Sequence, residues 1–118
     1  MKVKFSTIGV ADMSESIKFY TEIMGLKIAR QFNPYPGATI TFVKGEGDTF
    51  IELIENAENR QHPGLIAVGI EVEDVKAKVE ELRAKGAKII REPTKMGAEV
   101  LAFLEDPNGV RIVLIQQA

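Results

Sequence analysis

The 118 residues contain no cysteine and no tryptophan. Without thiols there can be no disulfide, no thiolate metal site, no haem thioether attachment and no cysteine nucleophile. A single histidine means that one chain cannot assemble a His-based triad or a two-histidine metal site. No apolar run approaches the roughly 20 residues that a membrane helix needs, so no membrane partner is expected. Neither sign of charge dominates: 15 Lys and Arg stand against 17 Asp and Glu, for a net charge of −2. They are scattered, which leaves no basic footprint, so no nucleic-acid partner is expected. The opening MKVKFSTIGV lacks a long apolar segment followed by a small-residue cleavage site, so it reads as a first strand and the expected location is cytoplasmic. What is present, 45% hydrophobic and 27% charged residues, is the composition of one globular domain. At this length about two thirds of the unfolded chain's surface can be buried.

The chain is written twice. Val10-Ala11-Asp12-Met13 and Val72-Glu73-Asp74-Val75 each open a helical stretch with an aspartate at the N-cap. Glu15 follows Asp12 at capping-box spacing, and Met13, Ile17, Tyr20 and Met24 form an apolar stripe that ends at Gly25. In the second copy Val75, Val79 and Leu82 make the stripe and Gly86 the stop. Beyond the glycines, Leu26-Lys27-Ile28 matches Ala87-Lys88-Ile89, and Ile40-Thr41-Phe42-Val43 matches Leu101-Ala102-Phe103-Leu104. The last strands correspond as well, Phe50 to Ile54 with Arg111 to Ile115. The expected organisation is one domain over 1–118: module 1 at 1–55, a polar linker at 56–64 and module 2 at 65–118. Each half has too little core to be comfortable alone. The expected fold class is α+β, two tandem βαβββ modules forming a cupped mixed sheet with helices outside. Its concave surface is the expected ligand site.

Within DTFIELIEN (48–56), Phe50, Glu52 and Ile54 fall on one strand face, Ile51 and Leu53 on the other. Both faces are apolar, and an isolated buried carboxylate there is costly. Three explanations are open. Glu52 is hydrated or paired with a Lys or Arg, Arg111 being one such partner. It recognises a donor-rich or cationic ligand gripped by Phe5, Phe42 and Phe50. Or burial raises its pKa and it acts as a general base. Asn33 to Gly37 and Thr94 to Gly97 lie between strands at corresponding places, which makes Tyr35 and Met96 rim contacts.

VADMSESIKFYTEIMGLKI (10–28), FIELI (50–54), VGIEVEDV (68–75) and FLEDPNGVRIVLIQ (103–116) resemble the vicinal-oxygen-chelate superfamily, which includes glyoxalase I, extradiol dioxygenases and bleomycin-resistance proteins. The resemblance covers the chain. It implies metal ligands on the first and last strand of each half, here Phe5, Glu52, Ala67 and Val113. Only Glu52 keeps a ligand-type side chain, and catalytic zinc commonly takes three protein ligands. His62, before Pro63-Gly64, belongs to a turn. The expectation is therefore a small-molecule binding protein with no metal and no cofactor, homodimeric as family members commonly are. Its ligand contacts would be Glu52, Phe5, Phe50, Phe42, Ala67, Arg111, Val113, Tyr35 and Met96, with Glu52 the one catalytic candidate. The alternative is a metal-dependent lyase, isomerase or dioxygenase of the superfamily with atypical ligands.

Overall fold

Asp12 and Asp74 start their helices by the same device. The carboxylate of Asp12 accepts a 3.0 Å hydrogen bond from the backbone N–H of Glu15, and that of Asp74 one of 3.0 Å from Ala77. Each bond satisfies a donor that the first helical turn leaves without a partner. The structure is a computed structural model describing residues 1–117, and its elements run in two matching series. The first is β1 (Lys2–Gly9), α1 (Met13–Lys18), β2 (Lys27–Phe32), β3 (Thr39–Lys44) and β4 (Phe50–Glu55). The short α2 (Ala57–Gln61) comes next. The second series is β5 (Gly64–Glu71), α3 (Val75–Ala84), β6 (Lys88–Met96), β7 (Glu99–Glu105) and β8 (Arg111–Gln116). The α+β class and the doubled βαβββ plan are both there.

The chain divides into two units, Phe5–Ile66 and a second made of Met1–Lys4 with the residues from Ala67 onward. In the first unit the strands lie in the order β2-β3-β4-β1, antiparallel except for the parallel pair β4/β1. Met13 of α1, with Ile17 and Tyr20, covers Leu53 and Val10 to make its core. In the second unit the order is β5-β8-β7-β6, with β5/β8 the parallel pair. Val75 and Val79 of α3 pack there on Ala102, Leu104 and Leu114. Each sheet therefore spends one face on its helix and has a second face turned away from it.

Three local features depart from the sequence reading. After Lys18 the first helix widens into a π-helical turn, Phe19–Ile23, in which Met24 N–H donates to the Phe19 carbonyl five residues back. The wider turn rotates the residues beyond it, so Met13, Ile17 and Tyr20 stay on the core while Met24 is 57% exposed. The polar 56–64 segment contains α2, capped by the Asn56 side chain, which accepts from Asn59 N–H at 2.7 Å. Thr94, Lys95 and Met96 belong to β6 and not to a rim loop, because β6 pairs with β7 up to Met96 opposite Glu99.

Both glycine stops carry positive φ, 81° at Gly25 and 95° at Gly86, a conformation that costs only glycine nothing. The β-bulges repeat too. In β2 the register slips between Ile28 and Arg30, and in β6 between Ile89 and Arg91.

Candidate active site

Glu52 sits in the middle of β4, on the face turned away from α1, since its neighbours Ile51 and Leu53 pack on the helix side. Thr7 lies beside it in register on β1 and Phe42 on β3. The Thr7 hydroxyl donates to Glu52 Oε1 at 2.6 Å, a length typical of a charge-assisted bond. Thr7 itself is buried. Burial pushes the Glu52 carboxyl above the ordinary glutamate range, and the Thr7 hydrogen bond, the smaller influence, pulls it part of the way back.

Aromatic side chains share the face of Glu52. Phe42 meets Phe50 edge to face at 5.9 Å between centroids and stacks against Phe32 at 6.5 Å. Phe5 is in register beside Phe50. The sequence reading thus named four residues that do share one face, Glu52, Phe5, Phe42 and Phe50. It missed Thr7, although Thr7 is two residues from Phe5 and in the same strand phase. It also missed Arg30, whose guanidinium lies 4.4 Å from the Phe32 ring centroid, and Lys44, 5.3 Å from that of Phe50. Strict alternation puts Arg30 on the helix side with Ile28; the bulge at Ala29 turns it to the face of Phe42, its cross-strand neighbour.

The other named residues lie elsewhere. In the second unit Ala67 pairs in register with Arg111, and Val113 with Gly69; Ala67 and Val113 are buried. The Arg111 guanidinium stands 4.8 Å from the centre of the Phe103 ring. Tyr35, in the β2–β3 loop, accepts a 3.1 Å hydrogen bond from Asn56 through its hydroxyl. Met96 is at the end of β6 and 47% exposed. His62 is the exposed C-cap of α2. A hollow of about 450 Å³ lies beside α1, lined by Val10, Asp12, Glu15, Phe19 and Pro63 among others, and Glu52 is not part of its wall.

Among the described residues no three His, Cys, Asp or Glu side chains come together as a metal site. Of the positions where the resemblance implies ligands, Phe5, Ala67 and Val113 have no donor atom in the side chain. The donor set of one chain does not fit a catalytic metal ion.

Fold and site define a doubled βαβββ protein that carries a half-buried, hydrogen-bonded carboxylate on a face shared with aromatic side chains. The chain belongs to the Glyoxalase/Bleomycin resistance protein/Dioxygenase superfamily, whose model matches residues 2–114. It is 38% identical to a probable lactoylglutathione lyase of Synechocystis, over 92% of this chain and 90% of the relative. It is 35% identical to the lactoylglutathione lyase of Haemophilus influenzae, over 98% of this chain and 93% of the relative. In fold it is similar to methylmalonyl-CoA epimerase from Mycobacterium tuberculosis, with a TM-score of 0.79, 21% identity and coverage of 99% and 88% of the two chains.

These relatives correct the expected function. A binding protein without catalysis was inferred from the missing donor side chains, yet the similar curated proteins are lyases. The alternative, a metal-dependent lyase, isomerase or dioxygenase of the superfamily with atypical ligands, accords with them better. The inference rested on the donor side chains missing from the positions of metal ligands, and a role for Glu52 as a general base was open beside it. No helix among the described residues is long and apolar enough to cross a membrane.

Proposed function

We propose that this chain is a lyase or isomerase that moves a proton on a carbon next to a carbonyl group, with Glu52 as the base. The single observation that carries the reading is the half-buried Glu52 carboxylate with Thr7 on one of its oxygens. Burial raises its affinity for a proton, and so its strength as a base, while Thr7 fixes Oε1 and leaves Oε2 to receive the proton. Phe42, the cross-strand neighbour of Glu52, and Phe50 present apolar rings on the same face.

The names of the relatives point to a small thioester such as lactoylglutathione as substrate. In that molecule the hydrogen to be removed is on the hydroxyl-bearing carbon beside the thioester carbonyl, which acidifies it. Delivery of that proton to the former carbonyl carbon, with the hydroxyl proton passing to the former carbonyl oxygen, gives a hemithioacetal, from which the thiol leaves as a free thiol and an oxoaldehyde remains. Atoms and electrons balance without an oxidant or reductant. No step is routed through a metal ion, for which this chain has too few donors. The reading includes a homodimer acting in the cytoplasm, supported by the family resemblance.

The test is interconversion of lactoylglutathione with glutathione and the oxoaldehyde, run from the thiol and aldehyde, the direction in which the thioester is the stable product, and followed at the thioester absorbance, using protein as purified, after chelation, and with added nickel, zinc, iron or manganese. Wild type should turn the substrate over, and Glu52→Gln should lose at least about 100-fold, the lower range for a general base. Equal activity of Glu52→Gln, or no turnover under any condition, would sink the proposal. Activity that appears only with added metal would show that donors outside this chain complete a site.

A further inference from the structure

The second unit has an unpaired pair of guanidinium groups for which the reading of Glu52 has no use. Arg91 Cζ lies 5.7 Å and Arg111 Cζ 4.8 Å from the centre of the Phe103 ring. Neither arginine makes an ion pair or a side-chain hydrogen bond among the described residues. We propose that Arg91 and Arg111, held against Phe103, bind an oxyanion group, a carboxylate or phosphate, of a small molecule.

Two features of the chain bring this about. A bulge between Ile89 and Arg91 takes Arg91 off the helix side, where Ile89 packs on the core, and sets it opposite Phe103. Arg111 occupies the strand position that Phe50 has in the first unit. Phe50 lies between Phe5 and Lys44; Arg111 lies between Ala67 and Glu105. The duplication thus exchanges a ring for a cation, and the methyl of Ala67 leaves that cation uncrowded on the β5 side.

The nearby carboxylate does not neutralise the pair. Glu105 is directly across from Arg111, but its Oε1 is with Lys88 at 3.4 Å, and Arg111 reaches diagonally to Phe103. This end of the face therefore carries Lys88, Arg91 and Arg111 against Glu105, an excess of two positive charges. Glu99, on the same face, lies four residues along β7, about 13 Å away at strand spacing, and accepts from the Gln117 amide. Glu71 lies toward that same far end, in register with Ile115. Glu92, next to Arg91, is with Arg83. A guanidinium resting on a ring has lost part of its hydration and rotamer freedom but keeps its outer N–H donors, the fork that matches a two-oxygen anion.

The site can be tested by binding alone, so its failure is distinct from a failure of Glu52 as the base. Succinate and inorganic phosphate would be titrated separately into isotope-labelled full-length protein at low salt, with backbone and arginine Nε signals followed by NMR. We expect saturable shifts at Arg91, Phe103 and Arg111 with at least one of the two, the better one identifying the kind of anion. Arg91→Gln and Arg111→Gln should each weaken binding by about tenfold or more, the loss typical of a hydrogen bond to a charged group. Arg111→Lys should recover only part, since it restores charge without the fork. Glu52→Gln should bind as wild type does. The proposal is overturned if neither anion shifts these signals saturably, or if Arg111→Gln binds as tightly as wild type while retaining its dispersed spectrum.

Discussion

Replacing Thr7 by valine keeps the branched shape of the side chain and removes the one side-chain hydrogen bond that Glu52 makes among the described residues, the 2.6 Å contact to Oε1. A hydrogen bond to a charged group contributes about 1.5–3 kcal/mol, and one between neutral groups about 0.5–1.5 kcal/mol. Because Glu52 is only half-buried, we place Thr7→Val at about 1.5 kcal/mol at neutral pH, the low end of the charged range. For 118 residues this corresponds to a fall in Tm of about 6 °C. In a Glu52→Gln background the same substitution meets a neutral acceptor and should cost about 1 kcal/mol less. The pH dependence has a definite sign. Burial holds the folded carboxyl above its unfolded value, so the folded state keeps a proton that the unfolded state has already released. The stability that this supplies is full below the unfolded value and is lost as pH rises through the raised one. Glu52→Gln should abolish that slope and be more stable than wild type at neutral pH. Thermal unfolding of the four variants across acid to neutral pH checks all of this. The reasoning is refuted if Thr7→Val costs the same in both backgrounds, or if Glu52→Gln leaves the slope unchanged.

The same geometry sets other outcomes. If Glu52 is the base, kcat/KM should rise with pH through a value above the ordinary glutamate range, a limb that a pH–rate profile of Thr7→Val should move further up, since the lost bond was holding the carboxyl down. Gly9→Ala would set a Cβ 2.8 Å from Cγ of Asn59, whose Nδ2 donates to the Ile54 carbonyl at 3.0 Å. Displacing that amide should cost about 1–3 kcal/mol by denaturant unfolding. Leu53→Ala, at a fully buried position under α1, should cost about 2–5 kcal/mol in the same assay. Asp12→Ala and Asp74→Ala should each cost about 1 kcal/mol.

The repeat was legible because its markers are local. An aspartate cap, an apolar stripe and a glycine stop are each set by backbone chemistry within a few residues, and finding them twice in order fixed the βαβββ plan. The face of Glu52 was legible for the same reason, since β4 pairs with β3 without a break and strict alternation holds. Thr7 was harder to find: its partner is 45 residues away, and no local pattern distinguishes a threonine that holds a carboxylate from one that fills a strand. Arg30 and Arg91 were hidden for a more specific reason. Each follows a bulge residue, Ala29 or Ile90, and one inserted residue reverses the face of everything after it. Met24 shows the helical counterpart, where a π turn undoes a stripe that a 3.6-residue period predicts.

Duplication makes these inserted residues informative. A bulge that occurred once could be an accident of one strand, but it recurs after Ile28 and after Ile89, at matching places in the two copies. In both, it delivers an arginine opposite a phenylalanine, Arg30 opposite Phe42 and Arg91 opposite Phe103. The copies then part at the next strand. Where the first has Phe50 and Glu52, the second has Arg111 and Val113, so a carboxylate among rings is set against a cation upon a ring. A shared backbone has been kept while polarity at two strand positions was exchanged. Glu52→Gln should therefore damage turnover while sparing anion binding, and Arg111→Gln should weaken anion binding, which steady-state kinetics and anion titration on the two variants would separate.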